Sequence, residues 1–277
     1  MEHSTIGDLA SQYDADYYAS HLGAPYRWDN PVWQRFFGGI ADALVAYVQP
    51  RSVLDAGCAL GFLVAAFRDR GVEAYGIDVS DFAIGEVPGH VRPYCSVGSI
   101  GEPLGRDYDL IVCIEVLEHL PPEDAESVIS NLCGHAYRVL FSSTPSDEAE
   151  PTHMNVRPTS YWARLFADRG FFRDAAFDAA VVAPHACLFV RRAPDASEVA
   201  AVYEELYVES RLRRSELEQR IVALEAALRE RDRIRARSGW RIYNVLFEFR
   251  MRVAPPGSVR GRALRRALRA AVRGVER

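Results

Sequence analysis

Along the first two thirds of the chain, short apolar runs alternate with longer stretches whose apolar residues recur every three or four positions. The short runs read as strands: Ser52–Asp55, Glu73–Asp78, Val91–Cys95, Leu110–Ile114, Tyr137–Ser142, Phe171–Phe177 and Ala186–Val190. Residues 110–114 are apolar throughout, as a parallel strand covered on both faces requires. The helical stretches begin at recognisable starts. Asn30 precedes Pro31, a capping side chain followed by proline at the first helical position. That helix runs to about Val48, where Pro50 stops it. Phe62, Leu63, Ala65, Ala66 and Phe67 form a second helical segment. Pro121-Pro122-Glu123-Asp124 opens a third, ending near Cys133. Pro158-Thr159-Ser160 opens a fourth, which sets Tyr161, Trp162, Leu165 and Phe166 on one face before Gly170 ends it. Strands and helices alternating at these lengths imply an α/β fold with a doubly wound, mostly parallel sheet. Ligands of such sheets bind at the carboxyl ends of the strands, where the strand order reverses.

The pattern changes at Pro194-Asp195. From Ser197 to Arg237 there is neither proline nor glycine, and Leu217, Ile221, Leu224 and Leu228 are spaced 4-3-4. The division expected is a domain over 1–195, a long amphipathic or coiled-coil helix over 196–237, and a tail over 238–277. So long a helix needs an apolar partner, and two readings stay open: packing on its own domain, or self-association. In the tail, Trp240–Val253 is aromatic and apolar, Pro255-Pro256-Gly257 breaks it, and Ser258–Arg273 sets apolar residues on one face and arginines on the other. A basic amphipathic helix of this kind suits an anionic membrane surface. A helix docked on the domain is the rival reading.

Charge sharpens the division. All 33 basic residues are arginine, which rules out a Schiff-base or phosphate-loop lysine. The net charge of −5 conceals about −13 on residues 1–195 and about +11 on residues 229–277. Nucleic-acid binding has only that basic tail in its favour, with no recognition motif. No run is long and apolar enough to span a bilayer, and no secretion signal is evident at Met1. Five scattered cysteines without a Cys-x-x-Cys pair fit buried thiols in a reducing cytoplasm, with the tail at the inner face of the membrane.

The candidate chemistry lies at residues 53–61, Val-Leu-Asp-Ala-Gly-Cys-Ala-Leu-Gly. A dinucleotide loop carries Gly-x-Gly-x-x-Gly, so that its backbone can approach a pyrophosphate. Here the spacing is Gly57-x-x-x-Gly61, with Ala59 between. Asp55 stands two residues before the first glycine, where a carboxylate repels phosphate and suits an ammonium group. Asp78, ending the next strand, suits ribose hydroxyls. The pattern describes a site for a cationic nucleoside without phosphate.

Together with Tyr108–Leu120 (Tyr-Asp-Leu-Ile-Val-Cys-Ile-Glu-Val-Leu-Glu-His-Leu), this segment resembles the class I S-adenosylmethionine-dependent methyltransferases. The resemblance spans about residues 10–193. It is nearest to a bacterial branch found among polysaccharide-assembly and glycosyltransferase proteins, through Pro25-Tyr26, Trp33, Ser142–Pro145 and His153–Val156. It implies a seven-stranded Rossmann-like sheet, S-adenosylmethionine as cofactor, and cofactor contacts at Asp55, Gly57, Cys58, Ala59, Gly61, Asp78, Val79, Ser99, Ile100 and Glu115. The family commonly has an acid where Ser99 stands, so the adenine contact there is weaker.

Methyl transfer to a hydroxyl needs a base beside the acceptor. His119, His153 and Glu115 are the expected catalytic residues: His119 after strand 4 at the lip of the crevice, His153 in the loop after strand 5, and Glu115 contacting cofactor or orienting a histidine. The aromatic residues of 1–30 (Tyr13, Tyr17, Tyr18, Tyr26, Trp28) read either as a packed N-terminal flap or as a lid over the cofactor and acceptor pocket. None of the seven histidines has His-x₃-His or His-Glu-x-x-His spacing, so no metal is expected. The acceptor expected from family context is a sugar or cell-surface glycan precursor. A small-molecule methyltransferase with a dimerising tail and a catalytically silent scaffold are the alternatives.

Overall fold

The computed structural model describes residues 10, 12–20, 25–236, 238–255 and 257–263. The expected amphipathic segment from Ser258 therefore lies mostly outside the described residues. The chain divides into two units, 1–202 and 203–277.

The first unit is built on seven strands: β1 (Ser52–Ala56), β2 (Glu73–Asp78), β3 (Cys95–Val97), β4 (Tyr108–Ile114), β5 (Ala136–Ser142), β6 (Phe171–Arg173) and β7 (Cys187–Arg191). Their order is β3-β2-β1-β4-β5-β7-β6, parallel except where β7 enters antiparallel between β5 and β6. This is the doubly wound, seven-stranded methyltransferase arrangement that the sequence led us to expect. The order reverses between β1 and β4, so the crevice opens at their carboxyl ends.

Side chains alternate across the sheet with a period of two. On β4, Leu110 and Val112 face one apolar layer with Ile40, Leu44, Leu63 and Phe67. Ile111 and Cys113 face the other, with Val128, Ile129, Trp162 and Phe166. Helices α2 (Pro31–Val48) and α3 (Phe62–Arg68) cover the first face. Helices α5 (Ala125–Gly134) and α6 (Thr159–Ala167) cover the second. Asn30 caps α2 as expected, its side chain accepting from Val32 N at 3.1 Å. The short α4 (Asp81–Glu86) is capped by Ser80, whose Oγ accepts from Ala83 N at 3.0 Å.

Three boundaries differ from expectation by four residues, and the other strand ends by two or fewer. Residues 92–94 form a 3₁₀ turn, and β3 starts only at Cys95, because Pro93 has no N–H to give a ladder. Helix α5 starts at Ala125 rather than within the Pro121–Asp124 run. The strand expected over 171–177 ends at Arg173.

In α7 (Ala196–Ala236) 41 residues form one unbroken helix with no buried residue. A further helix, α8 (Ser238–Val253), follows. No helix of the described residues is long and apolar enough to cross a membrane.

Candidate functional site

The turn after β1 begins the site. Gly57 has φ +91°, and a Cβ there would lie 2.4 Å from Val116 Cγ2, so both its conformation and its space exclude a side chain. Gly57 N and Cys58 N donate to Ile77 O at 2.8 and 3.1 Å, which ties the turn to the end of β2. Ala59, at φ 44°, holds a left-handed conformation that disfavours any residue with a side chain. Its N–H donates to Asp78 Oδ2 at 2.8 Å, while Ser80 N donates to Oδ1 at 2.9 Å. Asp78 is thus aimed by two backbone donors, and each oxygen keeps a lone pair for a ligand hydroxyl.

The crevice holds about 350 Å³. Asp55, Gly57, Cys58, Ala59, Asp78, Val79, Ser99, Ile100 and Glu115 line its inner wall, as expected. Gly61 does not reach it. With φ +74° it starts α3, and it sits close against Cys95, so its task is the turn itself. Gly98, after β3, and Val182, Ala183 and His185, from the loop before β7, also line the wall, and no motif pointed to them.

Electrostatics favour a cation. Burial, and then the Asp78 carboxylate, push the Asp55 carboxyl up to about 8. Burial also raises Asp78. Two buried acids side by side are costly as anions unless a positive ligand arrives.

The outer wall is aromatic. Tyr13, Tyr17, Tyr18 and Tyr26 come from the lid, with Trp33, Phe36 and Phe37 from α2. The described part of the N-terminal segment is fastened to the domain: Trp28 stacks on Phe62 with centroids 4.4 Å apart and donates its indole N–H to Leu60 O at 2.9 Å. Ser80 Oγ donates to Tyr13 O at 2.6 Å. Burial raises Tyr13 and Tyr18, and lifts Tyr17 to about 12, so the three phenols stay neutral.

At the far lip, Leu117–His119 forms a 3₁₀ turn after β4. Met154 N and Asn155 N both donate to Glu118 O, at 2.8 and 2.9 Å, which pins the loop after β5 onto that turn. The His119 and His153 rings consequently meet with centroids 4.7 Å apart. His119 is on the crevice wall; His153 stands behind it and does not line the crevice. Burial, and then His153, lower His119 to about 4. It is neutral at physiological pH, and a poor proton acceptor. Glu115 is different. Its Oε1 lies 2.9 Å from His185 Nε2, and hydrogen bonds outweigh burial to hold the carboxyl below its ordinary value.

Glu118, His119 and His153 each bring one potential ligand atom within 4.8 Å of the others, the one such group found among the described residues. The expectation of no metal rested on spacing along the chain. These residues converge from two loops more than thirty positions apart.

A methyltransferase-domain family model matches residues 33–174, just over half of the chain. The chain belongs to the methyltransferase domain family. The methyltransferase is similar to the magnesium-protoporphyrin O-methyltransferase of Synechocystis sp., with 34% identity over 33% of this chain and 43% of the relative. It is also similar to the ubiquinone biosynthesis O-methyltransferase of Nitrosomonas europaea, with 31% identity over 43% of this chain and 51% of the relative. The chain thus spans about half the length of the curated relatives it matches. Among solved structures, the Synechocystis magnesium protoporphyrin IX methyltransferase aligns with TM-score 0.46 and 23% identity, over 57% of this chain and 83% of the other. The cofactor of the methyltransferase is S-adenosylmethionine. The crevice fits it: buried acids await a cation, and backbone donors aim Asp78 at the ligand.

Proposed function

We propose that this chain methylates a hydroxyl on an acceptor with an apolar ring face. The observation that carries this reading is the continuity of the crevice, which runs from Asp55 and Asp78 to a wall of seven aromatic side chains. The glycan acceptor expected from the family branch draws no support from the curated relatives, whose names carry magnesium-protoporphyrin and ubiquinone biosynthesis.

S-Adenosylmethionine, when bound, supplies an electrophilic methyl group on a sulfonium. Asp55 takes the ammonium of the cofactor, and Asp78 the ribose hydroxyls. The aromatic lid excludes water and stacks on the acceptor. Glu115, ionised and on the wall, takes the acceptor proton, which His185 helps to hold. His119 orients the acceptor oxygen. This shifts the base role from the histidines to Glu115, because a buried imidazole beside a second imidazole resists protonation.

Calorimetry with S-adenosylmethionine and its demethylated product, followed by radiolabel transfer to a panel of catechols, porphyrins and sugars, tests the reading. Transfer to ring-bearing apolar acceptors supports it. Transfer confined to sugars, or no cofactor binding, overturns it.

A membrane-surface role for the tail has one observation in its favour. On α8, Ile242, Val245, Leu246 and Phe249 are all more than half exposed, at i, i+3, i+4 and i+7, with Arg241, Arg250 and Arg252 on the same helix. Flotation with phosphatidylglycerol vesicles checks it: co-flotation that is lost in Leu246→Asp supports the role, and no co-flotation rejects it.

A further inference from the structure

We infer that Glu118, His119 and His153 form a divalent-cation site at the acceptor end of the crevice. The inference rests on the methyltransferase reading and adds a metal requirement to it.

Glu118 is fully buried, and its Oε2 has no donor. Its Oε1 receives a long contact of 3.4 Å from Thr144 N. Beside it stands the side chain of Glu115, a second carboxylate in hydrogen-bonding contact with it. Acceptor facing acceptor in a buried place calls for a proton or a cation between them. The two imidazoles decide in favour of a cation. His119 Nδ1 lies 3.3 Å from Thr152 O and 3.0 Å from Thr152 Oγ1. His153 Nδ1 lies 2.6 Å from Asp147 O. Asp147 O can only accept, so His153 Nδ1 carries the proton; Thr152 Oγ1 gives its hydrogen to Glu150 Oε1 at 3.2 Å, so His119 Nδ1 donates as well, and each Nε2 keeps its lone pair. Fixing one ring nitrogen on a backbone carbonyl, with the other left to ligate, is how metal-binding histidines are oriented.

Two imidazoles and one carboxylate suit Mn²⁺, Fe²⁺ or Zn²⁺, and leave coordination positions open. His119 reaches the crevice wall, so those positions face the acceptor. An acceptor oxygen held there becomes more acidic. The Glu115 carboxylate, also on the crevice wall, can then receive the proton of that hydroxyl. The proton moves to the Glu115–His185 pair, the C–O bond forms, and the C–S bond breaks to leave a neutral thioether.

Chelator-stripped protein titrated with Mn²⁺, read by electron paramagnetic resonance, and with Zn²⁺, read by elemental analysis after dialysis, tests the site. The expected result is saturable uptake of one cation per chain, weakened at least about tenfold in His153→Ala and in Glu118→Gln. His153 does not line the crevice, so S-adenosylmethionine binding by calorimetry should persist in His153→Ala and shows that this variant is folded. No saturable uptake by the wild-type chain, or unchanged affinity in a folded His153→Ala, overturns the inference. Cofactor binding without cation uptake sinks the metal site alone. Loss of both sinks the function proposed above as well.

A second inference rests on charge pattern alone. The geometry of α7 points to a parallel, in-register dimer with a second copy of the chain. Leu217, Ile221, Leu224 and Leu228 are all about half exposed, and they occupy the d, a, d and a positions of a heptad. The flanking g and e positions are Arg213, Glu218, Arg220 and Glu225. In a parallel pair, g meets e five residues later on the other helix, which sets Arg213 against Glu218 and Arg220 against Glu225. An antiparallel pair opposes g to g and e to e, arginine to arginine and glutamate to glutamate. Within one chain Arg213 and Glu225 already bridge to Glu209 and Arg229, and an exposed carboxylate can share both partners. The β-branched residue at a with leucine at d favours two strands. Oxidation of Leu217→Cys gives a direct reading, because all five native cysteines are buried. A disulfide-linked dimer, with a dimer mass for the wild-type chain and a monomer mass for Ile221→Asp/Leu224→Asp, is expected. A monomeric wild-type chain, or a dimer that does not cross-link through residue 217, overturns it.

Discussion

In the proposed function, Asp55 is the residue on which ligand binding turns. Its pKa of about 8 means that it carries a proton at neutral pH. Its ordinary value is about 4, so the protonated form contributes stability that is fully present in acid and is lost as pH rises through about 8. An arriving ammonium favours the ionised form, and the proton must leave. Calorimetry at pH 7 in buffers of different ionisation enthalpy should therefore show release of close to one proton per cofactor bound, fading above about pH 9. Asp55→Asn should abolish that release and weaken binding by at least about 2 kcal/mol, the scale of a lost charge-assisted pair. Glu115→Gln removes the proton acceptor, and kcat should fall by about 10² or more. Retention of full turnover would return the base role to His119. Gly57→Ala meets two obstacles, the clash with Val116 and the positive φ. Combining it with Val116→Ala relieves only the first, so thermal stability should recover in part, leaving about 1 kcal/mol of backbone strain.

Among elements, α6 carries the largest buried side chain. Trp162 and Phe166 press on Phe141 of β5, and Phe166 stacks on Phe189 of β7 with centroids 4.2 Å apart. Trp162→Ala should cost about 3–5 kcal/mol in chemical denaturation. Trp162→Phe should cost under about 1.5 kcal/mol, because the indole N–H has no partner to lose. These packing elements were the legible part of the chain. β2 and α2 fall where the sequence placed them, since period, cap and stop all agreed there. β3 slipped because a proline inside an apolar run was weighed less than the run. At the site, the loop after β1 and Asp78 were legible because their chemistry is local. His185 was not: its bond to Glu115 crosses seventy positions and leaves no mark on spacing. The meeting of His119 with His153 depends on two backbone bonds to Glu118 O, which sequence does not display.

At the scale of the molecule, residues 1–202 and 203–277 are separate units, and every residue lining the crevice belongs to the first. A chain ending at residue 202 should melt cooperatively and bind S-adenosylmethionine within about 0.5 kcal/mol of the full chain by calorimetry. A larger loss would tie the tail to the pocket. The charge division, with an acidic first part and a basic end, falls between the crevice-bearing part and the tail.

The indole of Trp28, wedged between the lid and Phe62, has an optical corollary. In a chain carrying Trp33→Phe and Trp240→Phe, its fluorescence reports on that seam: if the flap lifts, the ring meets water and its emission moves to longer wavelength, while sealed Trp162 supplies a steady blue background. Substrate entry and exit can thus be timed in a stopped-flow cell with no dye attached.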